Sequence, residues 1–273
     1  MERKVLEVKG IRMSWEEHGE GLPVIYLHGI PTSPGLWRHV VPSVAATRAL
    51  AWEMVGYGGS IPEGKGRDIS VRSQADYLVS WMQAAGVERA LLVGHDLGGG
   101  VAQIVVVRYP ERVLGLVLMN AVCYDSWPIP EVKVMQTAGM LMERLPEKAF
   151  SFIFRQFLSQ GHDRPGRAEE SLAVHWPYYA AAGGASAFIR QIRSLDVRDT
   201  LSISDQLSHV KIPARLVWGA ADRFQKIGYG YRLAHDLRAP LERIEEGKHF
   251  VPEDHPERVA QNINMLLEQL RSV

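Results

Sequence analysis

The chain has 273 residues, 46% of them hydrophobic, which is enough to bury a sizeable core in one large or two ordinary domains. Its 31 basic and 31 acidic residues cancel without forming long runs, which argues against a nucleic acid or an anionic membrane surface as a partner. The single cysteine, Cys123, excludes an internal disulfide and a zinc site built from several cysteines. The composition therefore favours a globular protein that acts on a small molecule.

The first residues of the sequence do not have the pattern of a signal peptide. Residues 1–8 mix charged and apolar side chains without a long apolar run, so we expect no signal peptide and a cytoplasmic location. No apolar run approaches the roughly 18 residues of a membrane-spanning helix. The sequence is compatible with a monomer or a small homo-oligomer.

The hydrophobic pattern of the N-terminal half predicts strands that alternate with helices. We predict a hairpin over 5–8 and 11–15, strands at 24–27, 49–52, 91–93 and 113–119, and helices at 35–46 and 71–85. Residues 105–107 are three valines, which favour a strand. The glycines before them and Tyr109-Pro110 after them delimit a helix-length segment, however, so we predict a helix.

The second half of the sequence differs. Residues 121–208 are helical in tendency and contain no comparably strong strand candidate, whereas the strand pattern resumes at 215–218. A helix at 225–237, a strand at 241–244 and a helix at 256–270 follow. We predict a core domain of 1–120 and 209–273, with a mostly parallel sheet covered by helices on both faces, and an inserted helical cap of 121–208.

Segment 91–100 joins a buried strand to a glycine-rich turn and a helix. Where the elbow pattern G-x-S-x-G places a serine nucleophile, residues 94–98 read Gly-His-Asp-Leu-Gly, so the group presented is the carboxylate of Asp96. An elbow strains its middle residue, and the small Gly94 and Gly98 avoid collisions around it. The helix N-terminus favours the ionised carboxylate. Simple capping of the helix by Asp96 is the alternative interpretation.

A nucleophile of this class is followed in the chain by an acid and then a histidine. Asp222 follows the strand at 215–218, and His249 follows the strand at 241–244. Ligands bind at the carboxyl ends of parallel strands, where both residues and the elbow lie. We therefore predict His249 as the base and Asp222 as its orienting acid, with Asp125 as the alternative acid.

Two other histidines lie close to these motifs. We expect His28 to shape its own loop and His95 to pack beside the elbow. A non-catalytic ligand-binding protein with the same fold is the second class of hypothesis. The complete set of Asp96, Asp222 and His249 argues against it.

Four segments outside the cap interior carry a family resemblance: 28–38, 55–60, 125–128 and 249–256. They resemble the α/β-hydrolase superfamily, and within it the branch with an aspartate nucleophile, the haloalkane dehalogenases and epoxide hydrolases. The resemblance implies an α/β-hydrolase fold, a catalytic triad, and an oxyanion hole formed by the backbone N–H groups of Leu97 and Ile30. It implies no cofactor and no metal.

Two positions depart from the haloalkane dehalogenase pattern. That family typically has a tryptophan after the nucleophile and an asparagine after the His-Gly pair, and both bind the halide, whereas this sequence has Leu97 and Ile30. Neither side chain donates a hydrogen bond. Halide binding then depends on backbone N–H groups or on cap residues such as Trp127 and Trp176.

The epoxide hydrolases share the His-Gly-x-Pro segment, present here at 28–31, and use two cap tyrosines to protonate the epoxide oxygen. Tyr178 and Tyr179 are the candidates for that role in this sequence. Adjacent residues of a helix point in different directions, so one or both are candidates for contact with substrate.

The sequence therefore predicts a hydrolase that forms a covalent alkyl ester on Asp96 and hydrolyses it with water. The expected substrates are small and apolar, with carbon–halogen hydrolysis first and epoxide hydrolysis as the alternative. Esterase, lactonase or carbon–carbon hydrolase chemistry ranks lower, because attack of a carboxylate on an ordinary ester yields a mixed anhydride.

Overall fold

The computed structural model describes residues 1–272 and contains one eight-stranded sheet. The strands, in chain order, are β1 (Glu2–Val8), β2 (Ile11–His18), β3 (Pro23–Leu27), β4 (Arg48–Trp52), β5 (Ala90–His95), β6 (Val113–Met119), β7 (Ala214–Gly219) and β8 (Leu241–Ile244). Their order in the sheet is β1-β2-β4-β3-β5-β6-β7-β8. Strand β2 is antiparallel to β1 and β4, and the other neighbours are parallel. The predicted mostly parallel sheet is confirmed.

The α-helices are α1 (Val71–Ala84), α2 (Leu97–Arg108), α3 (Pro130–Thr137), α4 (Gly139–Met142), α5 (Glu147–Gly161), α6 (Pro165–Ala181), α7 (Ala185–Arg193), α8 (Arg198–Leu201), α9 (Ile227–Asp236), α10 (Val251–Asp254) and α11 (Pro256–Arg271). Short 3₁₀ helices span Pro34–Trp37, Val41–Ser43, Gly58–Gly64, Pro110–Arg112 and Ser204–His209. Among the helices of residues 1–272, none combines the length and apolar character that crossing a membrane requires.

Local sequence explains the hairpin and the helix after the elbow. Lys9 and Gly10 both have positive φ, 52° and 73°, which is the geometry of a tight two-residue hairpin turn. The valines at 105–107 lie in α2 as predicted. This helix is apolar almost all round, and all its residues from 97 to 106 are buried. Burial on every side thus overrides the local strand preference of valine.

The predicted helix at 35–46 is wrong. The structure has two separate 3₁₀ turns there, Pro34–Trp37 and Val41–Ser43. Pro42 lies within the segment and has no N–H to donate to the preceding turn, and its ring collides with the carbonyl four residues earlier. The chain therefore folds as two short turns rather than one continuous helix.

Between β6 and β7 the described chain is made of helices and connecting loops, and it contains no strand. These helices bury an aromatic cluster formed by Phe150, Phe154, Tyr179 and Phe188. The ring centroids of neighbouring pairs are 4.8–6.2 Å apart, and the shortest distance joins Phe154 and Tyr179. The helical segment thus has an apolar interior of its own.

Four neighbouring strands position the site. Strands β5, β6, β7 and β8 lie side by side and parallel, so their carboxyl ends meet at one edge of the sheet. Each of these four strand ends is followed by a polar residue: Asp96 after β5, Asn120 after β6, Asp222 after β7 and His249 after β8. Residues far apart in sequence are therefore brought to the same edge, as is general for open α/β sheets.

Candidate active site

Asp96 occupies a sharp turn between β5 and α2. Its φ and ψ are 51° and −120°, a backbone conformation that costs a residue with a side chain about 1–3 kcal/mol. A Cβ atom on Gly98 would lie 2.2 Å from the carbonyl oxygen of Leu27, and one on Gly94 would lie 2.7 Å from that of Gly98. The two glycines are therefore required by close backbone approach, as expected for an elbow.

The Asp96 side chain does not cap the helix that follows it. Instead its Oδ2 atom accepts a hydrogen bond from the backbone N–H of Ile30 at 2.9 Å, and the N–H of Leu97 also interacts with the carboxylate. The carboxylate thus accepts a hydrogen bond from one of the two N–H groups predicted to form an oxyanion hole, and the second also interacts with it. The capping interpretation does not agree with this geometry.

Burial raises the pKa of Asp96 above its ordinary value, because the low-polarity surroundings disfavour the charged form. His249 and the N–H groups of Ile30 and Leu97 act in the opposite direction, whereas the Asp222 carboxylate repels the charge. The carboxylate is therefore weakly solvated, which makes it a stronger nucleophile than one in water.

His249 lies between the two carboxylates. Its Nδ1 is 2.9 Å from Oδ2 of Asp222, and its Nε2 is 3.9 Å from Oδ1 of Asp96. A carboxylate only accepts hydrogen bonds, so Nδ1 donates to Asp222 and Nε2 keeps the lone pair of a base. The structure thus brings together the three residues predicted from strand ends and chain order.

Burial alone would lower the pKa of His249, but the carboxylates of Asp222 and Asp96 raise it above the ordinary histidine value. Asp222 acts both through its charge and through the hydrogen bond. The protonated form of the imidazole is therefore stabilised by its neighbours.

Asn120 is a site residue that the sequence analysis missed. Its Nδ2 donates to Oδ2 of Asp222 at 2.6 Å, and its Oδ1 accepts from the N–H of Gly219 at 3.1 Å. The other oxygen of Asp222 accepts from the N–H of Phe224 at 2.7 Å. The acid is thus fixed from both sides. The position of Asn120 directly after β6 was the signal that could have identified it.

The backbone of His249 is held by hydrogen bonds to His95 at the end of β5 and to Gly161 at the end of α5. His95 donates from Nε2 to the carbonyl oxygen of His249 at 2.9 Å, and the N–H of His249 donates to the carbonyl of Gly161 at the end of α5. His95 thus packs beside the elbow as expected.

His28 lies in the loop after β3. Its ring donates a hydrogen bond to the carbonyl oxygen of Gly29 and accepts one from the N–H of Met54, so it shapes this loop as expected. Burial lowers the pKa of His28 to about 3.

A small cavity adjoins Asp96, with about 40 Å³ open to the centres of water-sized molecules. Apart from Asp96 and Gln225, the side chains around it are apolar or aromatic. The lining residues are Ile30, Asp96, Leu97, Val122, Trp127, Pro128, Ile129, Val132, Phe157, Leu195, Phe224 and Gln225. Gln225 was not predicted as a site residue, because nothing in its sequence context distinguishes it from ordinary loop residues.

Of the four cap aromatics proposed from the sequence, Trp127 lines this cavity, and its Nε1 donates to Oγ1 of Thr200 at 2.7 Å. The other three lie elsewhere. Trp176 packs on Phe150 and Phe154.

Tyr178 and Tyr179 contact other residues of the protein rather than the cavity. Tyr178 is half-buried and lies near Ser33, whereas Tyr179 is buried and donates from its hydroxyl to Oε1 of Gln191 at 2.7 Å. Neither lines the cavity beside Asp96. Their expected contact with substrate does not agree with this geometry, because helix packing turns both side chains away.

The alternative acid, Asp125, is exposed and interacts with Tyr229, so Asp222 is the carboxylate that contacts His249. Among residues 1–272, no group of three or more histidine, cysteine, aspartate or glutamate side chains is arranged to hold a metal ion.

Comparison with known proteins places the chain in a family. A family model described as the alpha/beta hydrolase fold matches residues 23–256. A haloalkane dehalogenase of Sphingobium indicum is 27% identical over 288 residues, covering 99% of this chain and 96% of that protein. A bifunctional epoxide hydrolase 2 of Sus scrofa is 32% identical over 126 residues, covering 45% of this chain and 23% of that protein.

A solved structure of an alpha/beta hydrolase fold protein from Burkholderia ambifaria superposes with a TM-score of 0.89 at 25% identity, and the match covers 97% of each chain. The family match and this superposition agree with the sheet order and with the elbow after β5. The chain therefore belongs to the α/β-hydrolase fold family and is a hydrolase.

Proposed function

We propose that the protein hydrolyses the carbon–halogen bond of small haloalkanes through a covalent alkyl ester on Asp96. The observation that carries the proposal is the orientation of that carboxylate. Its Oδ2 is held by the Ile30 N–H at 2.9 Å, and its Oδ1 lies 3.9 Å from the base His249. The residue also lines the apolar cavity, so Oδ1 is the oxygen available to a substrate.

In the first half-reaction, Oδ1 of Asp96 attacks the halogen-bearing carbon. A carbon–oxygen bond forms, the carbon–halogen bond breaks, and the halide leaves with the electron pair. The nucleophile needs no deprotonation, because the carboxylate is already ionised. This chemistry suits a saturated carbon.

In the second half-reaction, Nε2 of His249 removes a proton from water, and the water oxygen attacks Cγ of Asp96. The negative charge that forms on Oδ2 is stabilised by the N–H groups of Ile30 and Leu97. The alkyl–oxygen group then leaves from Cγ and takes the proton from His249. The products are an alcohol and the carboxyl group of Asp96, which releases the second proton of the water molecule and returns to the carboxylate.

The cavity lining favours halide displacement over epoxide opening. Opening an epoxide leaves an alkoxide that needs a proton, and the tyrosines that could supply it, Tyr178 and Tyr179, do not line the cavity. A halide is a stable anion and leaves without protonation. The sequence likeness to a haloalkane dehalogenase over 99% of the chain gives further support, because the sequence likeness to the bifunctional epoxide hydrolase 2 of Sus scrofa covers 45% of it.

We further propose that residues 121–208 act as a cap over the site. Seven of the twelve residues that line the cavity come from this segment: Val122, Trp127, Pro128, Ile129, Val132, Phe157 and Leu195. The small, mostly apolar space that they leave suits short, unbranched substrates.

Side-by-side assays test this function. Purified enzyme is incubated with short 1-bromoalkanes and 1-chloroalkanes, with 1,2-epoxides and with simple esters, and halide, diol and acid are measured. The proposal predicts halide release that is lost in Asp96→Ala. Diol formation without halide release would favour an epoxide hydrolase, and ester cleavage alone would point to esterase chemistry.

A further inference from the structure

Gln225 is the second polar residue of the cavity, and its side chain has no partner. The residue is only 3% exposed, and its Oε1 is buried without a hydrogen bond. Its backbone is fixed, because its carbonyl oxygen accepts from Nε1 of Trp218 at 2.8 Å. The side chain of Gln225 thus lines the same cavity as Asp96, and its buried oxygen forms no hydrogen bond with the surrounding protein.

An unpaired buried amide is uncommon, because leaving its hydrogen bonds unmade costs free energy. A group of this kind in a structural role normally contacts another polar group of the chain. In an apolar cavity that also holds the proposed nucleophile, the partner expected for the amide is a ligand.

The other side chains around the cavity have no free donor to offer. Ile30 and Leu97 are apolar. The indole N–H of Trp127 is committed to Thr200 at 2.7 Å, and the hydroxyl of Thr200 donates in turn to the carbonyl oxygen of Tyr124 at 2.6 Å. Among the lining residues of the described chain, the uncommitted side-chain N–H group belongs to Gln225.

We propose that the carboxamide of Gln225 binds the departing halide during the first half-reaction, an inference that rests on the proposed function. As the carbon–halogen bond breaks, its electron pair moves to the halogen, and Nε2 of Gln225 donates a hydrogen bond to the growing negative charge. A halogen bonded to carbon is a poor acceptor and a halide ion is a good one. The interaction therefore strengthens towards the transition state and accelerates the step.

The test is made in the His249→Gln background, where the alkyl-enzyme accumulates and its formation alone is timed by rapid quench and intact-protein mass. With 1-bromobutane, Gln225→Met is expected to slow alkylation about 10- to 100-fold, the range for a lost hydrogen bond to a charged group. Gln225→Glu, which keeps the shape but adds a negative charge, is expected to slow it at least as much. Gln206→Met changes an exposed glutamine that does not line the cavity. It is the matched control and should change the rate less than about 2-fold.

A second readout is inhibition by bromide, which should weaken in Gln225→Met and persist in Gln206→Met. The melting temperature of Gln225→Met should not fall, because an unpaired buried amide is removed. Unchanged alkylation in both Gln225 variants would overturn the inference while leaving the proposed function intact. Absence of an alkyl-enzyme in the His249→Gln parent itself would instead overturn the proposed function.

Discussion

The Nε2 atom of His249 lies 3.9 Å from Oδ1 of Asp96, which is too far for a direct hydrogen bond. A serine nucleophile needs such a bond, because its base must remove the hydroxyl proton. Asp96 has no proton to give up when ionised, so His249 is free to act on water. In the proposed mechanism, the two half-reactions are therefore carried out by two different residues.

Replacing His249 by glutamine is expected to stop the reaction halfway. Asp96 still attacks the haloalkane, but no base activates water, so an alkyl ester accumulates on Asp96. Peptide mapping by mass spectrometry locates the adduct after incubation with a short bromoalkane. His235→Gln, at a side chain that is 89% exposed, is the control and should show full turnover without an adduct. An adduct on another residue would contradict the assignment.

Asp96→Asn is expected to lower turnover at least about 10³-fold without destabilising the protein. Asparagine tolerates positive φ and keeps an oxygen for the Ile30 N–H. The pKa of Asp96 is raised on folding, so its ionisation above the ordinary carboxyl pKa disfavours the folded state. The melting temperature of the variant should therefore equal that of the wild type near pH 4 and exceed it near pH 7. A lower melting temperature at pH 7 would contradict this.

The pKa of His249 should depend on the charge of Asp96. The carboxylates of Asp222 and Asp96 raise it, so neutralising Asp96 removes one of these influences. An NMR titration is expected to give His249 a lower pKa in Asp96→Asn than in the wild type, with exposed His235 as the reference.

The covalent intermediate neutralises Asp96 in the same way. Its hydrolysis needs neutral His249, so the rate should rise with pH and level off at a lower pH than the titration of His249 in the free enzyme. An equal or higher plateau pH would show that Asp96 does not influence the base.

Asn120→Gly tests how the acid is positioned. Asn120 has a φ of 42°, which glycine adopts freely, so the variant removes the hydrogen bond to Asp222 with little backbone strain. Hydrolysis of the alkyl-enzyme should slow about 10-fold, as for loss of a hydrogen bond to a charged group. Alkyl-enzyme formation should keep its wild-type rate. Equal slowing of both steps in single-turnover kinetics would indicate a general structural defect instead.

Strand periodicity and chain order predicted the part of the site that the sheet determines. The carboxyl ends of parallel strands share an edge, so Asp222 and His249 could be placed near Asp96 without knowing any contact. Asn120 occupies the same kind of position but was not predicted. The expected chain order names only a nucleophile, an acid and a base, and an amide is none of these.

The cap could not be predicted in the same way. Tyr178 and Tyr179 are neighbours in α6 and point about 100° apart, so the packing of helix on helix decides what each contacts. Tyr179 is buried against Gln191, and Tyr178 lies near Ser33. Gln225 stands out only because its partner is missing, which is a property of the folded cavity and not of the sequence.

The central claim, attack by Asp96 on carbon followed by attack of water on its Cγ, is tested most directly by a single turnover in ¹⁸O-labelled water. Enzyme in excess reacts with a short bromoalkane and is then digested with a protease. The mass of the peptide that contains Asp96 is measured by mass spectrometry. The account predicts that ¹⁸O enters the Asp96 carboxylate and that the alcohol of this first turnover is unlabelled. Labelled alcohol with an unlabelled Asp96 would show that water attacks the substrate directly and would contradict the account.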